Sequence, residues 1–233
     1  MSAPDPALAV SVIVPAYNEE DTIREVVDRL LALPLSLEVV VVNDGSKDRT
    51  GQILAEFGER IKLITNPEPG GKGNAIRTGL PSCTGEVVII QDADLEYRPE
   101  EIPALVAPIL EGQANVVYGS RFTRGLIRGM AWPNKLVNLM LRYAVKLLYG
   151  QKLTDEATCY KAFRRNLLVD MGLQCQRFEF CPEATAKAIR MGETIKELPI
   201  SYEPRSKEAG KKIRWTDAPE AFLTLWKYRA WRR

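Results

Sequence analysis

Three carboxylates occupy alternate positions directly after an apolar segment of the sequence. Asp92, Asp94 and Glu96 lie within QDADLEYRP, which follows the run GEVVII. In an extended chain, side chains at alternate positions share one face, so three like charges would repel one another there. A bound Mg²⁺ or Mn²⁺ would remove this repulsion, because hard cations prefer oxygen ligands. A solvated loop is the alternative explanation for this pattern taken alone.

The absence of histidine narrows the chemistry that the chain can perform. None of its 233 residues is a histidine, which excludes Ser-His-Asp and Cys-His catalysis and histidine-ligated metals. Any general base must therefore be a carboxylate, or the acceptor must arrive already ionised. The cysteines show no C-x-x-C pairing, and no secretory signal is recognisable, so we expect reduced thiols and a cytoplasmic protein. The four are Cys83, Cys159, Cys175 and Cys181.

A glycine-rich segment, GGKG at residues 70–73, is a second candidate for ligand binding. It lacks the spacing of a phosphate-binding P-loop, and no G-x-G-x-x-G follows the first predicted strand, so neither of these nucleotide motifs is indicated. What remains is a backbone that a ligand can approach closely, with Lys72 available for its phosphate. An ordinary flexible loop explains the segment equally well.

Charge is unevenly distributed along the chain. The net charge is only +2, which gives no general signal for nucleic acid, but residues 203–233 contain nine Lys or Arg against four Asp or Glu. Such a basic tail suits phosphates or an anionic membrane surface, whereas a solvated helix face is the simpler explanation. No apolar run approaches the roughly 18 residues that a membrane span needs.

Strand and helix patterns alternate through the first half of the sequence. Runs such as AVSVIVPAY and EVVVVND read as buried strands, and TIREVVDRLLAL places apolar residues at helical spacing. Five strands with intervening helices predict right-handed βαβ units and a mostly parallel sheet. Ligands bind beyond the carboxyl ends of such strands. The turns PAYNEE, NDGS, GGKGN, QDADLEY and GSRF are therefore expected to converge on one site.

The second half contains one unusually apolar helical pattern. In residues 134–149, Lys135, Asn138, Arg142 and Lys146 form a narrow polar stripe, and nearly every other residue is apolar. Such a helix must be covered on most sides, by the core, by a partner subunit or by lipid. A core helix is the default interpretation, and a membrane-surface helix is the functional alternative. Residues 154–168 and 178–192 read as a loop-and-helix pair, followed by a strand, a basic loop and a final helix with interleaved tryptophan and arginine.

Taken in order, VSVIVPAYNEEDTI, EVVVVNDGSKDRT, GKGNAIRTG, GEVVIIQDADLEYRPEEIP and VVYGSRF resemble the nucleotide-sugar domain of family 2 glycosyltransferases with the GT-A fold. The similarity is closest to polyprenyl-phosphate sugar transferases such as the dolichyl-phosphate mannosyltransferases. It extends through LTDEATCYKAFRR and PISYEPRSKEAGKKIRW, so it covers roughly residues 9–229. It implies one α/β GT-A domain over residues 1–233, with a Rossmann-like, mostly parallel sheet, a nucleotide-sugar half at 9–122 and an acceptor-side half at 123–233.

The resemblance also implies roles for individual residues. Asp92, Asp94 and Glu96 would hold Mg²⁺ or Mn²⁺, a Lewis acid for the departing diphosphate. Glu96 departs from relatives that carry glutamine there, which would alter metal preference. Arg121 would meet the acceptor phosphate, and Asp94 and Arg121 are the expected catalytic residues. The residues placed at the substrates are Pro15, Tyr17, Glu19, Asp44, Lys72, Asp92, Ala93, Arg121, Arg205 and Lys211, of which the last two would close over the donor phosphates.

The implied reaction transfers a hexose from a GDP- or UDP-sugar to a polyprenyl phosphate, such as dolichyl or undecaprenyl phosphate, with inversion at the anomeric carbon. Mannose and glucose are the hexoses that the resemblance favours. A lipid phosphate is already ionised, so its attack needs positioning more than a base. The alternatives are a soluble hydroxyl acceptor, with Asp94, Asp155, Glu179 or Glu183 as base, and a non-catalytic nucleotide-sugar-binding protein. A lipid acceptor further predicts peripheral docking on the cytoplasmic membrane face, whereas a homodimer would cover the apolar helix without lipid.

Overall fold

Seven strands form one sheet in the described part of the chain. The computed structural model describes residues 9–123, 132–204 and 218–233. The strands are β1 (Val10–Ala16), β2 (Leu37–Asp44), β3 (Lys62–Asn66), β4 (Val87–Ile90), β5 (Val116–Ser120), β6 (Lys161–Arg164) and β7 (Ile195–Pro199). Their order is β3-β2-β1-β4-β6-β5-β7, and every pair is parallel except the two that β6 makes with β4 and β5. The predicted fold class, a mostly parallel sheet flanked by helices, is confirmed.

Helices connect these strands and cover the sheet. The α-helices are α1 (Ile23–Leu31), α2 (Thr50–Ala55), α3 (Lys72–Gly79), α4 (Ile102–Leu110), α5 (Trp132–Tyr149), α6 (Arg165–Asp170), α7 (Phe180–Arg190) and α8 (Ala218–Tyr228). In α1, Ile23, Val26, Val27 and Leu30 recur at helical spacing, and all four are fully buried. This apolar stripe explains why α1 packs into the core.

Strands β1, β2 and β4 bring the predicted binding turns to one edge of the sheet. Their β-branched residues are buried, as strands covered on both faces require. β1 pairs in parallel with β2 from Val10 opposite Leu37 to Ala16 opposite Asn43, and with β4 on its other side. Because all three run in the same direction, their carboxyl ends meet at one edge.

Strand β6 is the described strand that the sequence pattern does not predict. Its residues belong to a segment that reads as a loop and a helix, because β6 is only four residues long and begins with a lysine. Lys161 is nevertheless fully buried, and its ammonium donates to the Glu156 carbonyl at 3.0 Å and lies 3.4 Å from the centre of the Tyr118 ring. Since β6 inserts between β4 and β5, strands from both halves of the chain form the same sheet.

Helix α5 exposes much of its apolar surface, so the expectation of a core helix is wrong. The buried positions of α5 are Asn138, Leu141 and Val145. Tyr143 is 64% exposed and Leu147 is 86% exposed. No helix within the described ranges combines the length and apolarity of a membrane span.

Part of the predicted polar stripe of α5 faces the protein instead of solvent. The Asn138 side-chain carbonyl accepts a hydrogen bond from the Ala157 amide at 3.1 Å. One turn later, Arg142 Nε donates to the Leu153 carbonyl at 2.9 Å. These bonds satisfy backbone groups of the irregular segment before β6, so Asn138 and Arg142 anchor a loop on the side of α5 that also buries Leu141 and Val145.

Candidate active site

A cavity of about 440 Å³ lies beyond the carboxyl ends of β1, β2, β4 and β5. Residues predicted from the sequence as substrate, metal or catalytic groups line it: Pro15, Tyr17, Glu19, Asp44, Lys72, Asp92, Ala93, Asp94, Glu96 and Arg121. The other two predicted residues, Arg205 and Lys211, lie outside the described residues. The structure therefore brings the described candidates to one place, while the role of each remains a prediction.

Asp44 holds the glycine-rich loop against the end of β2. Its carboxylate accepts hydrogen bonds from the backbone amides of Gly70 at 3.0 Å and Gly71 at 2.7 Å. Gly71 has a φ of +91°, and a Cβ there would lie 2.8 Å from the Gln176 carbonyl oxygen, so this position requires glycine. The resemblance places Asp44 at the substrates, and in the structure its carboxylate fixes the loop that leads into Lys72.

The segment that carries the three carboxylates is a turn. β4 ends at Ile90, and Leu95 has a left-handed φ of +60°. Alternate side chains therefore do not share the face of a strand, and that part of the sequence argument is wrong. Within the turn, the Glu96 amide donates to the Asp94 carboxylate at 3.1 Å. The three carboxylates nevertheless all line the cavity, because the turn as a whole borders it.

A lysine relieves part of the repulsion among these carboxylates. Lys72 Nζ forms a close ion pair with Asp92, and their side chains are only 11% and 14% exposed. Burial opposes the charge of the ammonium group, but the adjacent Asp92 carboxylate outweighs it and raises the pKa of Lys72 above its ordinary value. Lys72 is therefore a permanent cation at the edge of the cavity, which suits a phosphate.

The carboxylates suit a hard divalent cation by type but are not gathered around one. In the described residues, no three acidic or thiol side chains are arranged to hold a metal ion. Asp92 is paired with Lys72, and Glu96 accepts a hydrogen bond from the Tyr202 hydroxyl at 2.8 Å. A cation held by Asp92, Asp94 and Glu96 would therefore require these side chains to move closer together.

Arg121 is held in place by a buried carboxylate. Its Nε and Nη2 each donate to an oxygen of Asp155 at 2.7 Å, and its backbone amide donates to the same carboxylate at 3.0 Å. The Asp155 side chain is fully buried. Burial opposes the charge on the guanidinium group, but the Asp155 carboxylate outweighs it and raises the pKa of Arg121. Because Asp155 accepts from Nε and from one hydrogen of Nη2, a phosphate would have to bind through Nη1 and the second hydrogen of Nη2.

The four carboxylates considered as a general base differ in whether they reach the cavity or are bound by other groups. Asp94 lines the cavity. Asp155 is committed to the arginine just described, and Glu179 accepts two backbone amides of the loop before α7 at 2.6 and 2.9 Å. Glu183 is buried in an ion pair with the lysine one turn later, at 2.5 Å. Of the four, Asp94 is the one placed to meet a substrate hydroxyl.

Tyr202 is a cavity residue that the sequence reasoning missed. Its hydroxyl donates to Glu96, its ring centre lies 5.5 Å from that of Tyr97, and the Arg121 guanidinium lies 5.0 Å above its ring. The signal was available, because Tyr202 follows β7, which runs parallel to β5 and ends at the same edge of the sheet. Tyr202 thus contacts both Glu96, which is predicted to bind the metal ion, and Arg121, which is predicted to bind the acceptor phosphate.

We expect Tyr202→Phe to weaken binding of a nucleoside diphosphate with Mn²⁺ by about tenfold, the lower end of the effect of losing a group that orients a metal ligand. The variant keeps both ring contacts and removes the hydrogen bond to Glu96. Calorimetry with UDP and with GDP measures the change. Tyr149→Phe is the matched control, because it removes a hydroxyl that donates to Leu225, outside the residues that line the cavity. Unchanged affinity in Tyr202→Phe would show that the hydroxyl does not orient Glu96 for binding.

Comparison of the sequence with known proteins identifies the family. The profile of the Glycosyl transferase family 2 matches residues 11–172. Undecaprenyl-phosphate 4-deoxy-4-formamido-L-arabinose transferases are similar over most of the chain. The protein of Pseudomonas fluorescens strain SBW25 is 36% identical over 188 residues, which are 77% of this chain and 53% of the relative, and that of strain Pf-5 is 38% identical over 189 residues, 77% and 54%. The chain thus spans little more than half the length of these relatives.

Solved structures agree on the fold. Glucosyl-3-phosphoglycerate synthase from Mycobacterium tuberculosis, in complex with Mn²⁺, UDP-glucose and phosphoglyceric acid, superposes with a TM-score of 0.73 at 22% identity, over 97% of this chain and 81% of that one. The same enzyme in complex with UDP gives a TM-score of 0.74 at 21% identity, over 100% and 88%. At this identity the likeness supports the fold alone. The family match, which includes β1 to β6 and the carboxylate turn, shows that the chain belongs to glycosyl transferase family 2.

Proposed function

We propose that this chain transfers a sugar from a nucleoside-diphosphate donor to a polyprenyl phosphate, with inversion at the anomeric carbon. The observation that carries the proposal is the composition of the cavity, where the carboxylates of Asp92, Asp94 and Glu96 meet the cations Lys72 and Arg121. This is the charge pattern needed for a metal-bound diphosphate beside a second phosphate. In this assignment residues 9–122 form the nucleotide-sugar half and residues 123–233 the acceptor-side half. Two assigned residues serve the substrate of the other half: Arg121 binds the acceptor phosphate, and the basic loop with Arg205 and Lys211 binds the donor phosphates.

Mg²⁺ or Mn²⁺ bound by Asp92, Asp94 and Glu96 would supply positive charge to the departing diphosphate. Lys72 supplies a second positive charge close to the same carboxylates. Arg121, oriented by Asp155, binds the acceptor phosphate and so places its oxygen for attack on the anomeric carbon. No side chain has to remove a proton from a phosphate that is already ionised, which agrees with a chain that has no histidine.

The donor sugar is the finer part of the proposal. The sequence resemblance favours a hexose, with mannose or glucose first, whereas the curated relatives are named for 4-deoxy-4-formamido-L-arabinose. A soluble acceptor is the second candidate function, because the phosphoglycerate-bound enzyme shares the fold. Asp94 would then act as base, since it is the candidate carboxylate that lines the cavity.

Mass spectrometry of reaction products tests these assignments together. The purified chain is incubated with Mn²⁺, a panel of GDP- and UDP-hexoses and UDP-4-deoxy-4-formamido-L-arabinose, and either undecaprenyl phosphate or 3-phosphoglycerate. We expect a glycosyl-phosphoprenol with one donor and no product with phosphoglycerate. A product in the phosphoglycerate arm alone would replace the lipid acceptor with a soluble one. No product in either arm, with nucleotide still bound, would favour the non-catalytic alternative.

A lipid acceptor requires contact with a bilayer, and we propose that α5 and α8 provide it. The two helices are adjacent, since the Tyr149 hydroxyl donates to the Leu225 carbonyl at 2.5 Å. Their exposed apolar side chains include Tyr143, Leu147, Leu223 and Trp226. Exposed basic residues near them are Lys146, Lys227 and Arg229, and each adds about 1 kcal/mol of attraction near an anionic surface. The C-terminal tryptophans differ in exposure: Trp226 belongs to this surface, whereas Trp231 packs partly buried against the core.

We expect Leu147→Glu with Leu223→Glu to lower partitioning onto anionic vesicles by about 100-fold or more, because each of the two leucines buried in lipid contributes about 1.5–3 kcal/mol. Co-sedimentation with vesicles of phosphatidylglycerol and phosphatidylcholine measures this, at low and high salt. Val169→Glu is the control, since Val169 is 49% exposed on α6. Analytical ultracentrifugation without vesicles measures the oligomeric state. If the wild-type chain does not bind vesicles and is a dimer in solution, and if the double variant is a monomer, this surface is a subunit interface.

A further inference from the structure

Two of the four cysteines are in direct contact. The Sγ atoms of Cys159 and Cys181 are 3.8 Å apart, although the residues are separated by 22 positions in the sequence. Cys159 lies just before β6, and Cys181 lies in the first turn of α7. The remaining two, Cys83 and Cys175, are also buried, and no contact between them or with this pair is present in the described residues.

The cysteine pair borders a small chamber beside the donor cavity, which is the cavity of about 440 Å³ described as the candidate active site. The chamber has a volume of about 80 Å³, and both thiols line it. Val137, Ala157 and Phe178 line the chamber and the donor cavity alike, so the two spaces share a wall. A chamber of this size admits a molecule as small as a peroxide, because a single water occupies about 30 Å³ in the liquid.

The surroundings favour the thiolate at one of the two sulfurs. The Cys181 thiol is within reach of both Cys159 Sγ, at 3.8 Å, and the Thr158 carbonyl, at 3.3 Å. The hydrogen bond from Cys181 lowers the pKa of Cys159, burial opposes this, and the Lys72 ammonium lowers it further. By contrast, burial raises the pKa of Cys83 to about 12. Since the thiolate is the nucleophilic form, Cys159 is the sulfur that reacts first with an oxidant.

We propose that Cys159 and Cys181 form an oxidisable dithiol, and that their disulfide lowers the affinity of the donor cavity for nucleotide. The Cys159 thiolate attacks one oxygen of hydrogen peroxide, the O–O bond breaks, and the released hydroxide takes a proton to become water. The sulfenic acid formed on Cys159 is then attacked by Cys181 sulfur, the S–O bond breaks, and a second water leaves with the Cys181 proton. The two thiols lose two electrons in total, and one peroxide is reduced to two waters.

Closing the disulfide would strain contacts that shape the donor cavity. The sulfurs must approach from 3.8 Å to about 2.05 Å. At the start of α7, Glu179 holds the amides of residues 176 and 177, and the carbonyls of these two residues accept the amides of Asn74 at 2.7 Å and Gly73 at 2.9 Å. A shift of Cys181 would therefore be passed to the first turn of α3, which carries Lys72.

The other end of the pair is tied to the cavity as well. The Cys159 amide contacts the Tyr97 hydroxyl at 3.4 Å. The Tyr97 ring packs against Tyr202, which in turn bonds to Glu96. Movement at either cysteine therefore reaches side chains that line the donor cavity, and oxidation should weaken nucleotide binding.

Peptide mapping after peroxide treatment tests the chemistry without reference to activity. The purified chain is treated with hydrogen peroxide, its free thiols are alkylated, and the digest is analysed by mass spectrometry. We expect one intramolecular cross-link between the Cys159 and Cys181 peptides, reversed by dithiothreitol, with Cys83 and Cys175 alkylated in full. Cross-links that involve Cys83 or Cys175, or sulfonic acid without any cross-link, would overturn the proposal.

Calorimetry with UDP and GDP in the presence of Mn²⁺ tests the consequence. We expect oxidation to weaken binding at least about tenfold and dithiothreitol to restore it. Cys159→Ser should bind nucleotide as the reduced wild type does and be insensitive to peroxide, whereas Cys83→Ser should remain sensitive. Cys181→Ala should also bind as the reduced wild type does, but peroxide should oxidise its Cys159 without forming a cross-link. A cross-link that forms without any change in affinity would overturn the control of the cavity. Because these readouts are a disulfide and a nucleotide affinity, they remain decisive even if the acceptor is not a polyprenyl phosphate.

Discussion

Asp94→Asn should lower kcat/KM for sugar transfer by about 100- to 1000-fold, the usual effect of losing one group that stabilises transition-state charge. Asparagine keeps an oxygen where Asp94 accepts the Glu96 amide at 3.1 Å, so the turn is preserved and the change is one of charge. With less negative charge to hold a cation, nucleotide affinity in Mn²⁺ should approach the affinity measured in EDTA. Steady-state kinetics and calorimetry measure the two effects.

Asp21→Asn is the matched control for this experiment. Asp21 is an exposed carboxylate that follows Glu19 and Glu20 in the PAYNEE turn and is not among the cavity-lining residues. Its substitution removes the same charge from the same region of the surface and should leave kcat/KM within about twofold, as expected for a surface change. Full turnover in Asp94→Asn, or equal nucleotide affinity of the wild type in Mn²⁺ and EDTA, would remove Asp94 from the metal site.

Asp155→Asn should lower the free energy of unfolding by about 3–5 kcal/mol, because removing one partner leaves a buried charge uncompensated. The partner is Arg121, which donates to both Asp155 oxygens at 2.7 Å and whose side chain is only 9% exposed. Urea denaturation at constant pH measures the change in midpoint and slope. Glu203→Gln is the control, since its ion pair with Arg98 lies at the surface, where solvent screens the charges and the pair contributes little to stability.

A second variant separates the structural role of this pair from its role in transfer. Arg121→Met combined with Asp155→Leu replaces a buried ion pair by apolar side chains, a change that is often neutral or stabilising. We expect its stability to return to within about 1 kcal/mol of the wild type while transfer to polyprenyl phosphate stays at least about 100-fold impaired. A double variant that is stable and fully active would show that Arg121 does not bind the acceptor.

The parallel strands of the donor half and the position of the site could be predicted from the sequence. Apolar β-branched runs such as VSVIVPA and LEVVVVND permit only buried strands, and the helical spacing between them forces parallel connections. Once the strands are parallel, their polar carboxyl-terminal turns must meet at one edge. That reasoning alone brought Tyr17, Asp44, Asp92 and Arg121 to the same cavity.

Features that depend on contacts between distant segments could not be predicted. Strand β6 does not read as a strand because it begins with Lys161. The buried ammonium group of Lys161 is accommodated by the Glu156 carbonyl and the Tyr118 ring. The apolar residues of α5 read as core, yet Tyr143 and Leu147 face outward, while Asn138 and Arg142 face the protein and hold a loop.

By itself, the sequence determined the family, the parallel strands of the donor half and the edge at which ligands bind, because these follow from local periodicity and from the order of motifs along the chain. The tertiary structure decided which charges are paired within that edge. Asp92 meets Lys72 from 20 positions away and Arg121 meets Asp155 from 34 positions away. An ion pair forms where the fold brings two side chains within about 3 Å, and separation along the chain carries no information about that distance.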